Sequence, residues 1–182
     1  MKMRPPTSEE IAATAWKILE NGKCGVLSTI NQDNLLYSLS LTYIVDDGKI
    51  YFHLLKNDLK ISKLNFSAQV TFVVISHYLV NSVSNITTPP SYVYDFSAYY
   101  KSAIITGHLV KIEDDDLKIE IINKLDKRHL DKYVTWQRNF EKSLSEIEVI
   151  AIEVDDISSN DTTSRPVRKR KKHSLKEKII QI

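Results

Sequence analysis

The chain has 182 residues, 42% hydrophobic and 26% charged, with 4 Gly, 5 Pro and one cysteine. That composition fits one compact domain and excludes collagen-like, linker-like and disulfide-framed chains. The net charge of +2 is uneven: residues 158–182 carry +6, which leaves −4 on the body and no general nucleic-acid footprint there. No apolar run approaches the roughly 20 residues of a membrane span. The opening Met1-Lys2-Met3-Arg4-Pro5-Pro6 has no signal-peptide core, so the expected setting is the cytoplasm, with no membrane partner.

In chain order, Thr7 and Glu10 have capping-box spacing ahead of a helix whose stripe is Ile11, Ala15, Ile18 and Leu19; Asn21-Gly22 ends it. Gly25 to Ile30 reads as a strand and Asn31 to Asn34 as a turn. Leu35 to Val45 reads as one second strand, with Leu39, Leu41 and Tyr43 on one side and Ser38, Ser40 and Thr42 on the other. Asp46-Asp47-Gly48 is a hairpin signal before a third strand, Lys49 to Leu55, on which Tyr51, His53 and Leu55 share a face. Asn57 or Asp58 can cap the short helix that follows, with Ile61 and Leu64 as its apolar edge and Lys60 and Lys63 nearby. A lysine in the first turn of a helix is a natural partner for an anion; the alternative is a corner whose lysines only face water.

Ala68 to Ser76 is nearly continuous in apolar residues and reads as a strand buried on both faces. His77 to Asp95 is a polar, proline-bearing segment. Phe96 to Glu113 is a long strand in which Gly107 suggests a bulge or a close backbone approach. Asp114-Asp115-Asp116 starts a helix lined by Leu117, Ile121, Ile122 and Leu125, with Lys127 and Arg128 at its end; residues 129–145 are helical or irregular. Glu148 to Ile157 alternates as a last strand. About six hairpin-linked strands with helices at the start, middle and near the end make an α+β domain over 1–157, a small closed or partly open barrel, followed by a basic tail over 158–182.

Among single residues, Cys24 reads as a small buried side chain and not a nucleophile. His77, His108, His129 and His173 have no metal-ligand spacing, so no metal is expected. Ser28-Thr29 lacks a nucleophile elbow. Trp16 and Trp136 read as packing residues. The block Arg165 to His173 is either a solvated tail or a contact for nucleic acid or another anionic surface, and Leu175, Ile179, Ile180 and Ile182 fit a short docking helix.

The set Gly25-Val26-Leu27-Ser28-Thr29, Tyr37 to Tyr43, Asp47 to His53, Lys60 with Leu64-Asn65, and Tyr100 to Gly107 resembles, in order and spacing, the pyridoxamine 5′-phosphate oxidase-like, FMN-binding split-barrel superfamily. Within it the pattern is most similar to the nitroimidazole-resistance, nitroreductase-like branch. The resemblance implies a six-stranded antiparallel split β-barrel with flanking helices, paired as a homodimer with FMN at the subunit interface. It implies that Lys60 holds the phosphate and that Ser40, Leu41, Thr42 and Tyr43 run past the flavin ring. It places His53 near the flavin or substrate as the proton-handling residue, and brings Tyr100 and Ser102 in from the partner. Where the family usually has glycine before the lysine, this chain has Asp58-Leu59-Lys60. The implied function is an FMN-dependent oxidoreductase acting on a small organic substrate, such as a nitro compound. The alternatives are a non-catalytic flavin or haem carrier or sensor, and a nucleic-acid-associated protein acting through its tail.

Overall fold

The computed structural model describes residues 5–80, 98–129 and 144–162. Helix α1 (Ser8–Asn21) starts at Thr7, whose side chain accepts from the Glu10 N–H while the Glu10 carboxylate accepts from the Thr7 N–H at 2.8 Å, closing the expected capping box. Strands β1 (Cys24–Ile30), β2 (Leu36–Thr42), β3 (Ile44–Asp46) and β4 (Lys49–Leu55) follow, then a single helical turn, α2 (Leu59–Ser62). The second half holds β5 (Gln69–Val80), β6 (Ala98–Lys111), α3 (Asp115–His129) and β7 (Ile147–Asp161).

The strands form one antiparallel sheet of seven, in the order β2-β1-β5-β6-β7-β4-β3. The expected single strand from Leu35 to Val45 is two: it breaks at Tyr43, and this supplies the seventh. Its two pieces lie at opposite ends of the strand order yet are one residue apart in sequence. The sheet must therefore curl until its edges meet at Tyr43, which is the partly open barrel expected of an α+β chain. The hairpin between β3 and β4 turns on Asp47 (φ 44°) and Gly48 (φ 70°), the left-handed pair that a two-residue hairpin favours.

A core fills the concave side. Leu27, Phe52, Phe72, Ile105, Ile150 and Ile152 point inward, and α1 lays Ala15, Ile18 and Leu19 on them. Tyr43 is part of this core: its hydroxyl donates to the Leu19 carbonyl at 2.7 Å and its ring meets Phe72 edge-on, centroids 5.1 Å apart. A second core lies outside the sheet, where Ile121, Ile122 and Leu125 of α3 cover Ile44, Tyr51, Val149 and Ala151. Arg128 ties α3 to α1 by donating from Nη2 to the carbonyls of Leu19, Glu20 and Gly22, satisfying the open end of α1. At Gly107 the register with β7 shifts, and a Cβ there would strike the Glu153 carbonyl, so both readings of this glycine hold.

Two expectations are corrected. The run Ala68 to Ser76 is buried on one face only: Val70, Phe72 and Val74 are in the core, while Ile75 is 62% exposed. Cys24 is exposed, because it lies on the outward side of β1. Strand β7 also runs to Asp161, four residues past the expected Ile157. The segment 81–97, Trp136 and the basic block from Arg165 lie outside the described residues.

Candidate functional site

The site is built by the two pieces of the broken strand. Side chains alternate through the break, so Leu39, Leu41, Tyr43 and Val45 face the core and Ser40, Thr42 and Ile44 face outward. β3 and β4 pair at Ile44–Tyr51, and there the ladder stops. Carried on, that register would set Thr42 opposite His53, but no ladder joins β2 to β4, so the two strands diverge from Tyr43. At the far end α2 returns to β2: the Lys63 ammonium lies over the Tyr37 ring, 5.3 Å from its centroid. The result is a split with Ser40 and Thr42 on one lip, His53 and Leu55 on the other, and α2 at its end.

Seen from the split, the expected residues separate into groups. Ser40, Thr42 and His53 are exposed at the lips. Leu41 and Tyr43 are buried, so their side chains cannot touch a ligand in the split; only their main chain can. Lys60 is exposed in α2, but Asp58 engages it twice. One carboxylate oxygen of Asp58 accepts from the Lys60 N–H at 2.9 Å, and the other is 3.3 Å from the Lys60 ammonium. The N–H bond, helped by the ammonium, holds the Asp58 carboxyl below its usual range.

Tyr100 and Ser102 are on β6, on the outward face that also carries Ser40 and Thr42. The pairing runs Ser40, Val26, Val73, Ile104, Ser158 in one row across five strands, and Ser38, Ser28, Thr71, Thr106, Asp156 in the next. β2 and β6 are three strand spacings apart, about 14 Å. Within one chain, then, Ser102 does not meet Ser40. Ser102 is buried between its ladder neighbours Ile75 and Asn160, and the Tyr100 hydroxyl accepts from Asn160 Nδ2 at 3.1 Å.

Among the described residues this outward face has no cover. Val26 (41% exposed), Ile75 and Ile104 (42%) form an apolar centre with Ser and Thr on either side, and Ile30 and Leu36 extend it at the β1–β2 tip. Sequence reading missed it, although the signal was present in the apolar outward positions of the run Ala68 to Ser76. Separately, a cavity of about 250 Å³ opens between α3 and β3, lined by Ile44, Val45, Lys124, Lys127 and Arg128. None of the expected residues lines it, and two of its three cations are already engaged: Lys124 with Asp46 and Glu120, Arg128 with α1. His108 pairs with Asp155 at 2.9 Å and His129 Nε2 is 3.0 Å from the Tyr43 carbonyl, so both serve the fold. Among the described residues no group of three or more His, Cys, Asp or Glu is placed to hold a metal ion, and no helix is long and apolar enough to cross a membrane.

A curled antiparallel sheet, broken at one residue and open along the break, defines the split-barrel class. A family model described as pyridoxamine 5′-phosphate oxidase matches residues 12–160, and the chain belongs to that family. No match was found among curated proteins. Similar solved structures include a candidate 5-nitroimidazole antibiotic resistance protein of Bacteroides thetaiotaomicron, with TM-score 0.63, 14% identity and 81% of each chain covered. The FAD and heme binding protein of Mycobacterium smegmatis has TM-score 0.63 and 15% identity, over 79% of this chain and 67% of that one. The flavocytochrome Anf3 of Azotobacter vinelandii has TM-score 0.65 and 15% identity, over 85% and 69%. At these identities the likeness is one of fold.

Proposed function

We propose that the chain is a flavin-dependent oxidoreductase that holds FMN along the split between β2 and β4, at the interface of a homodimer. Its substrate would be a small organic molecule, with a nitro compound the first to test. The carrying observation is the split itself, with Ser40 and Thr42 exposed on β2, His53 exposed on β4 and the exposed Lys60 in the helical turn that follows β4, in a chain of this family. The hydroxyls of Ser40 and Thr42 and the main chain of Leu41 and Tyr43 offer polar edges to a flat ring, and the exposed Leu55 offers an apolar contact. The flavin, when bound, supplies the electron transfer. Lys60, already paired with Asp58, is the cation that the phosphate would have to reach, and His53 orients the substrate or moves a proton beside it.

The homodimer is supported by the bare face. Its central strand β5 turns Val73 and Ile75 outward, opposite the inward Val70, Phe72 and Val74, and among the described residues Ile75 is left 62% exposed there. A second copy would cover it and bring Tyr100 to the partner's split, while the buried Ser102 could offer only its main chain there. A non-catalytic carrier or sensor is the second reading, favoured by the exposure of His53, since among the described residues that lip is open to water.

The absorption spectrum of the purified protein is the first test. Flavin bands, or their appearance on adding FMN, support the reading; a colourless protein that takes up no FMN overturns it. Reduction of the bound flavin by NAD(P)H and reoxidation by a nitro compound separates enzyme from carrier.

A further inference from the structure

The Asp58 carboxylate accepts from the Lys60 N–H at 2.9 Å and lies 3.3 Å from its ammonium, so it competes for both groups that Lys60 has to offer an anion. The pair is open to solvent, with the Lys60 side chain 50% and the Asp58 side chain 26% exposed, so a ligand can reach it. A phosphate monoester carries close to two negative charges at neutral pH. Brought to Lys60, it must either displace Asp58 from the ammonium or stand beside a like charge. The uncharged end of a ligand meets neither penalty.

We propose that Asp58 is a specificity-determining residue that sets the Lys60 corner against a terminal phosphate, so that a flavin is held by its ring and FMN gains little over riboflavin. This rests on the flavin reading above. The effect belongs to the charge of Asp58 and not to its capping of α2, because asparagine caps a helix as well as aspartate does.

The test is equilibrium binding of FMN and of riboflavin to the full-length chain at low salt, read by flavin fluorescence, for wild type, D58N and D58N/K60A. The expected wild-type preference for FMN is below about tenfold; D58N tightens FMN about tenfold and leaves riboflavin unchanged, and adding K60A removes the gain. If wild type prefers FMN by more than that, or D58N leaves the FMN-to-riboflavin ratio unmoved, the role of Asp58 is overturned and the flavin reading stands. If none of the three proteins binds either flavin, the flavin reading falls and the role of Asp58 with it. A wild-type circular dichroism spectrum for D58N keeps either result free of a folding defect.

Discussion

The outer surface of the sheet is treated in two ways. Over β3, β4 and the first half of β7, the row Ile44, Tyr51, Ala151 is closed by α3. Over β2, β1, β5 and β6, the row Ser40, Val26, Val73, Ile104 is left open by the described residues. The closed row is apolar throughout, as suits a surface whose cover is permanent and built in. The open row mixes branched apolar side chains with hydroxyls. Such a surface tolerates water in the free chain and still favours a partner, which is the composition of an interface more than of an interior. The border between the two runs through Tyr43, with Thr42 on the open side and Ile44 on the closed side.

The comparison can be broken by substitution. Ile122→Ala, in the closed half, removes a side chain only 1% exposed, and a loss of about 3 kcal/mol is expected in urea unfolding. Gly107→Ala, at the border, forces a Cβ against the Glu153 carbonyl; a loss of about 2 kcal/mol is expected, with a fall in melting temperature. Ile104→Lys, in the open half, should change the stability of the unpaired chain by under about 1 kcal/mol. In sedimentation it should shift the protein from dimer to monomer; an unchanged dimer would place the interface elsewhere. Thr7→Ala, remote from both surfaces, should cost about 1 kcal/mol through the lost cap of α1.

Tyr43 gives a pH-dependent version. Burial pushes its hydroxyl up to about 12 from the ordinary value of 10.0. The unfolded chain therefore ionises this group first as pH rises. The stability it contributes is complete below pH 10 and lost between 10 and about 12. Unfolding free energies across that window should fall less steeply for Tyr43→Phe than for wild type; equal slopes would mean that Tyr43 is not buried in solution.

Much of the fold was legible in the sequence because local chemistry and tertiary position agree. The Thr7–Glu10 box, the Asp47-Gly48 turn and the stripe Ile121, Ile122, Leu125 each state their structure within a few residues. The break at Tyr43 was not legible, because alternation continues through it and only the closing of the sheet bends the chain. The alternation that puts Leu41 and Tyr43 opposite Ser40 and Thr42 was legible, and it leaves these two only their main chain to offer a ligand. The bare face was misread because an apolar run marks a surface that needs covering, whether the cover is the chain's own helix or something outside it. Asp58 as a cap was visible; its second bond, to the Lys60 ammonium, needed the geometry.

The meeting of the sheet's two edges at Tyr43 also has a kinetic side. Strand β4 has only three residues of β3 beside it until β7 arrives, about a hundred positions later in the chain. Closing so long a loop is entropically costly and slow. A nascent chain that has passed β5 thus still carries an uncovered β4 edge, and the barrel is completed only once residues up to Asp161 have left the ribosome. Chains truncated before β7 should accordingly aggregate instead of folding to a smaller barrel.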